Sequence, residues 1–241
     1  MKESVLAIIS ENCPKAAKNQ LSAFFTVITL PPDPLLAPPV SSHPDMLITI
    51  INKTLFCHNK YYEIASDKID SILSLCSLNL ICTNSPRGAV YPLDVGLNTL
   101  VLQDQQKLIA RRDTLAPELL PYLAADTKQG YAGCSSLYIN GTLATSDPSM
   151  IRAAERCDIP VHRLPQGGIL LPGYNTGFIG GCGGVWNNSV YLFGNPDSCA
   201  QGYALKEYCQ HVNITVVSLC DAPLSDFGGI QFVEAKKHKQ K

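Results

Sequence analysis

Long apolar runs are missing from this chain: nothing approaches the roughly 20 consecutive residues that a membrane-spanning helix needs. Charge is scarce, at 16% of 241 residues, and it balances to a formal net charge of -1, which leaves no field to gather nucleic acid or anionic lipid. Neither is therefore an expected partner. The single basic run, Lys236 to Lys241, reads as a solvated chain end. The ten cysteines form no Cys-x-x-Cys pair and no zinc-ligand cluster. The glycine-rich run Gly177 to Gly184 lacks the Gly-Lys-Ser/Thr ending of a phosphate loop, so no metal or cofactor is expected. A signal-peptide shape is absent too, because Glu3 precedes an apolar stretch of only Val5 to Ile9 with no small-residue cleavage site. Reduced, mostly buried thiols and a cytoplasmic location follow as expectations.

What the chain has is 46% hydrophobic residues, enough for one buried core over residues 1–241, and a pattern that repeats. A small polar residue is followed by one variable position, a large apolar residue and Ile or Val, at Asp45–Ile48, Asn98–Val101, Ser136–Ile139 and Thr176–Ile179, with a looser fifth copy from Asp226 to Ile230. Recurrence of this kind points to an architecture of equivalent units.

In the first copy Met46–Ile51 reads as a buried strand, Asn52-Lys53 as a turn and Thr54–Cys57 as its hairpin partner. Tyr62–Leu75 has helical periodicity, with Ile64, Ile69, Ile72 and Leu73 on one side, and Leu78–Cys82 returns as a strand. The second copy gives strands Thr99–Leu102 and Lys107–Ala110, a proline-interrupted helix over Thr114–Ala124 and a strand near Gly130–Ala132. The third gives Leu137–Ile139, the turn Asn140-Gly141, Thr142–Thr145, a helix capped by Asp147 with Pro148 at its first position, and Ile159–Leu164. The fourth gives Gly177–Ile179, Ser189–Phe193, a helix from Ser198 to His211 and Val212–Leu219. The fifth breaks off after Gly229–Val233, and its missing parts stand at the other end as Ser4–Ser10, Pro14–Phe24 and Phe25–Leu30. The expectation is an α/β chain of five strand-strand-helix-strand units forming a closed propeller, with the first and last segments side by side.

That plan resembles the pentein, or guanidine-group-modifying enzyme, fold. The runs Ser42-His43-Pro44-Asp45-Met46, Asp94-Val95-Gly96-Leu97-Asn98, Leu171-Pro172-Gly173-Tyr174 with Gly177-Phe178-Ile179-Gly180-Gly181, and Leu224-Ser225-Asp226-Phe227-Gly228 look like an uncharacterised bacterial branch of it. The resemblance implies a hydrolase or transferase acting on guanidino or amidino compounds through a cysteine nucleophile and a histidine. At the matching positions this chain has Gly228-Gly229-Ile230-Gln231-Phe232-Val233, without cysteine, and Tyr174-Asn175-Thr176, without histidine. The family pair is expected to be absent, and any turnover would need a rearranged site.

Equivalent units converge their first polar residues, so Asp45, Asp94, Asn98, Ser136, Tyr174, Asn175 and Asp226 are the candidate ligand-binding set, and His43, Asp45 and Cys220 the candidate catalytic groups. Carboxylates gathered at one place suit a guanidinium, an ammonium or a metal ion. Taken singly, each aspartate is as well explained as a turn or strand cap, His43 as a turn residue, and each cysteine as an inert packing residue. Two functions are weighed: a central pocket for a small cationic or polar ligand, and a noncatalytic protein-protein interaction module on the same scaffold.

Overall fold

The computed structural model describes residues 4–236 and contains five three-stranded sheets. Most of the basic run Lys236–Lys241 lies outside the described residues. Among the described residues no helix is long and apolar enough to cross a membrane.

The opening segment gives β1 (Val5–Ser10), α1 (Lys15–Phe24) and β2 (Thr26–Leu30). Next come a helical turn α2 (Pro44–Leu47), β3 (Ile48–Ile51), β4 (Thr54–His58), α3 (Asn59–Cys76) and β5 (Asn79–Thr83). The following unit has β6 (Leu100–Leu102), β7 (Lys107–Ala110), a 3-10 segment Pro117–Tyr122 and β8 (Leu123–Asp126). The last two full units are β9 (Ser136–Ile139), β10 (Thr142–Thr145), α4 (Pro148–Glu155), β11 (Val161–Arg163), and β12 (Gly183–Trp186), β13 (Ser189–Leu192), α5 (Ala200–His211), β14 (Thr215–Ser218). β15 (Gln231–Glu234) ends the described fold.

In every sheet the middle strand pairs antiparallel with the first and parallel with the third. The antiparallel pair needs only a tight turn. At Asn52-Lys53 and Asn140-Gly141 both turn residues have positive φ, the signature of the primed turns that match strand twist. The parallel pair needs a crossover, which the helices provide. β15 takes the first-strand place beside β1, with Val5 opposite Glu234 and Ile8 opposite Gln231. The first and last described segments therefore lie side by side.

Neighbouring first strands also touch: β6 packs on β9, β9 on β12, and β12 on β15. Gln231 Nε2 donates to the Ile48 carbonyl at 3.1 Å, and Thr49 Oγ1 to the Leu97 carbonyl at 2.6 Å.

The helices follow from their caps and apolar stripes. Asp147 accepts from the amides of Ser149 at 2.7 Å and Met150 at 2.9 Å, satisfying donors that the first turn of α4 leaves open, and α4 buries Met150, Ala153 and Ala154. α3 buries Tyr61, Ala65, Ile69 and Ile72 and stops at Ser77, which adopts the left-handed conformation. Ile64, expected on the buried side, is instead exposed. The helix begins at Asn59, earlier than expected, and the residues spaced by four from Tyr61 fill the core.

Four other expectations are corrected. Thr114–Ala124 is not a helix: Pro117 and Pro121 remove backbone donors and leave a 3-10 turn running into β8. Gly130–Ala132 is not a strand, since β8 has already taken the parallel position beside β7. Gly177–Ile179 is not a strand either; Gly180–Cys182 makes a 3-10 turn and β12 starts at Gly183. Asp45 likewise sits on the turn α2, three residues before its strand.

Candidate functional site

A cavity of about 1170 Å³ is lined by all five first strands, β3, β6, β9, β12 and β15. Its walls carry Ile50, Thr99, Val101, Tyr138 and Val185, and one end is bordered by the hairpin turns, with Asn52, Gln103, Asn140 and Asn187. Residues that precede the first strands form the other end: Asp45, Gly133, Gly180, Gly228 and Gly229, with Ser136 at the start of β9. Glycines let the backbones at that end pack closely, with a Cβ on Gly180 standing 2.2 Å from the Gly133 carbonyl oxygen, and Asp45 lines the space there while its Oδ1 is closed off from it.

Asp45 Oδ2 accepts from the Cys134 thiol at 2.8 Å. Its other oxygen, Oδ1, is buried and has no hydrogen-bond partner. Burial first, and the Asp226 charge second, push the Asp45 carboxyl up to about 7. Asn98 Nδ2 donates to Cys134 Sγ at 3.0 Å, while its Oδ1 accepts from the Gly133 amide at 2.8 Å. The cysteine is thus held between an amide donor and a carboxylate acceptor. Burial, then the charges of Asp45 and Asp226, raise the Cys134 thiol well above its ordinary range, which favours the protonated form that donates to Asp45.

Asp226 is spent on the backbone. Its Oδ2 accepts from the Phe178 amide at 2.9 Å and its Oδ1 from the Gly228 amide at 3.0 Å. Burial lifts it to about 6 against the lowering effect of those two bonds. His43 Nδ1 lies 3.7 Å from Asp226 Oδ1, too far for a hydrogen bond. Burial lowers the His43 ring to about 4, so the contact is not an ion pair at neutral pH. His43 packs directly on Gly228: an added Cβ there would stand 2.3 Å from His43 Cβ, and the backbone has φ +76, which glycine tolerates.

Of the residues expected from sequence, the structure gathers His43, Asp45, Asn98 and Asp226 around Cys134, with Ser136 lining the same cavity. Asp94 stands apart, where its Oδ2 accepts from the Tyr131 hydroxyl at 2.7 Å and burial raises its carboxyl. Tyr174 and Asn175 are exposed on a loop. Cys220 packs against the separate apolar cluster of Cys13, Phe25 and Phe193 and is not brought to Asp45. Arg87 is paired with buried Asp33 at 2.5 Å. Among the described residues no three His, Cys, Asp or Glu side chains are grouped to hold a metal ion. Sequence reasoning took Cys134 for a packing residue. Its position two residues before Ser136 marked its neighbourhood, but its bond to Asp45 spans 89 positions and leaves no local trace.

A model of a family of unknown function, DUF6873, matches residues 8–231, and the chain belongs to that family. No curated protein matches. Among solved structures the chain is similar to a crystal structure of a histidine-to-glycine variant of dimethylarginine dimethylaminohydrolase, an adduct with S-methyl-L-thiocitrulline. The TM-score is 0.55 at 11% identity, covering 90% of this chain and 92% of that one. At that identity the likeness is one of fold, and the fold here is pentein-like.

Proposed function

We propose that this member of the DUF6873 family binds a small cationic ligand in a central channel, without the cysteine-histidine chemistry that its fold suggests. The carrying observation is the cavity lined by all five first strands and ending at Asp45, whose Oδ1 is buried and unpaired. A buried acceptor without a donor costs about 1–3 kcal/mol, more when ionised, and in this reading a small shift of Asp45 towards the cavity lets a cation offset that cost. In this reading the five sheets form a closed propeller, supported by the contacts between successive first strands and by the β1–β15 pairing. Ten free thiols suit the reducing cytoplasm, and the motif runs quoted above are the ground for placing the chain in a bacterial branch.

A thermal-shift screen tests the proposal. Arginine, agmatine, methylated arginines and simple amines are compared with divalent metals and neutral isosteres, and at least one organic cation is expected to raise the melting temperature. Stabilisation by none of the organic cations, together with a stoichiometric protein partner in a pull-down, would favour the interaction-module reading. That second reading has one observation of its own, the run of exposed apolar side chains Val90, Tyr91 and Leu93 on a single loop.

A further inference from the structure

We infer that Cys57 and Cys82 form a reversible oxidation site, reduced at rest and joined as a disulfide when the chain meets a hydroperoxide. The inference does not depend on the channel reading.

The two thiols are 25 positions apart in the chain, and the fold removes that separation. Cys57 on β4 and Cys82 on β5 are register partners in a parallel pair, so both side chains leave the sheet on the same face. Strands paired in this way lie about 4.8 Å apart, inside the roughly 4.4–6.8 Å between Cα atoms that a disulfide accepts. The sulfur atoms are already in contact at 3.9 Å. Rotation about the two Cα–Cβ bonds, with the strands left in register, closes the remaining gap to the bonded distance of about 2.05 Å.

Exposure gives the two thiols their order. Cys82 is half-buried on β5, the last strand of its sheet, whereas Cys57 is 0% exposed on the middle strand. The hydroperoxide therefore reaches Cys82 first. The Cys82 sulfur attacks the terminal peroxide oxygen, the O–O bond breaks, and the thiol proton leaves with the alcohol, or with water when the oxidant is hydrogen peroxide. Cys82 is then a sulfenic acid. Burial first, and the neighbouring Cys82 second, push the Cys57 thiol up, so it keeps its proton until it acts as the resolving group. Its sulfur attacks the Cys82 sulfur, the S–O bond breaks, and the departing hydroxide takes the Cys57 proton to leave as water. Two thiols and one hydroperoxide become one disulfide, one alcohol and one water. A small-molecule thiol reverses the step by exchange at half-buried Cys82. The ring closed by the bond contains the whole of α3, so oxidation restrains the unfolded chain across that crossover.

Peptide mapping of the full chain, after treatment with hydrogen peroxide and alkylation of the remaining thiols, tests the inference. A linked Cys57–Cys82 peptide that dithiothreitol separates is the expected product. The pair is expected to react at least about tenfold faster than buried Cys134 and Cys182. Cys57→Ser is expected to stop at the sulfenic acid of Cys82, trapped by dimedone in higher yield than in the wild type. Should that variant misfold, Cys82→Ser, at the half-buried position, is expected to abolish the linkage and leave Cys57 reduced. The oxidised wild type is expected to melt roughly 5 °C above the reduced protein, a shift absent from Cys82→Ser. Sulfenic acid accumulating on wild-type Cys82 without a linkage overturns the inference. So do linkages spread equally over other pairs, a pair that reacts no faster than Cys134, or a lower melting temperature on oxidation.

Discussion

Replacing Asp45 with Asn is expected to raise the melting temperature of the ligand-free protein at alkaline pH and to leave it nearly unchanged near pH 4. The sign follows from linkage. Burial and the Asp226 charge lift the Asp45 carboxyl from 3.8 to about 7 in the folded protein. The folded state therefore holds this proton more tightly than the unfolded chain does, and stability falls as pH rises between those two values. Above the folded value the ionised carboxylate carries its full burial cost, which Asn does not. The rise from 3.8 to about 7 corresponds to a ceiling of about 4 kcal/mol. Half of that, at roughly 2–4 °C per kcal/mol in a chain of this size, gives a gain of about 4–8 °C. Asp226, raised to about 6, acts in the same direction. His43, lowered to about 4 by burial, acts oppositely, because between about 4 and 6.5 the unfolded chain takes up the proton and stability rises with pH. Comparing variant with wild type at two pH values in a scanning calorimeter isolates Asp45. A lower melting temperature for the variant at alkaline pH contradicts the assignment of an unpaired, buried charge.

The second large effect is at Gly181. A methyl group there would stand 1.9 Å from Asp226 Oδ1 and 2.3 Å from its Cγ. The backbone cannot retreat easily, since the Gly181 carbonyl accepts from the amides of Phe227 and Gly229, both at 2.9 Å, and its amide donates to the Cys134 carbonyl at 3.1 Å. Asp226 must swing away and abandon the amides of Phe178 and Gly228. Gly181→Ala is expected to cost at least about 3–4 kcal/mol by denaturant unfolding. In an Asp226→Ala background, where the clashing atoms are gone, the same change should cost under about 1 kcal/mol. Strict additivity of the two substitutions would refute the contact.

Much of this architecture was legible in the sequence because its signals are local. Alternation and the turn Asn140-Gly141 mark β9 and β10, and Asp147-Pro148 marks the start of α4. The pattern misled where proline removes backbone donors, as at Thr114–Ala124, and where glycine leaves the local conformation open, as at Gly177–Ile179. The site shows the same division. Asp45, Asn98, Ser136 and Asp226 were legible as polar residues near the starts of equivalent strands. Their division of labour was not, because it depends on which carboxylate oxygens the backbone and Cys134 have already claimed. Tyr174 and Asn175 matched the pattern but end on an exposed loop, where chain spacing says nothing about depth.

The most direct test of the account is a carbon-13 NMR titration of the Asp45 carboxyl with and without the organic cation that most stabilises the protein in the thermal-shift screen. A midpoint at about 7 in the free protein, falling when the cation saturates the cavity, is the predicted result. An ordinary midpoint of about 4, indifferent to the cation, would contradict it.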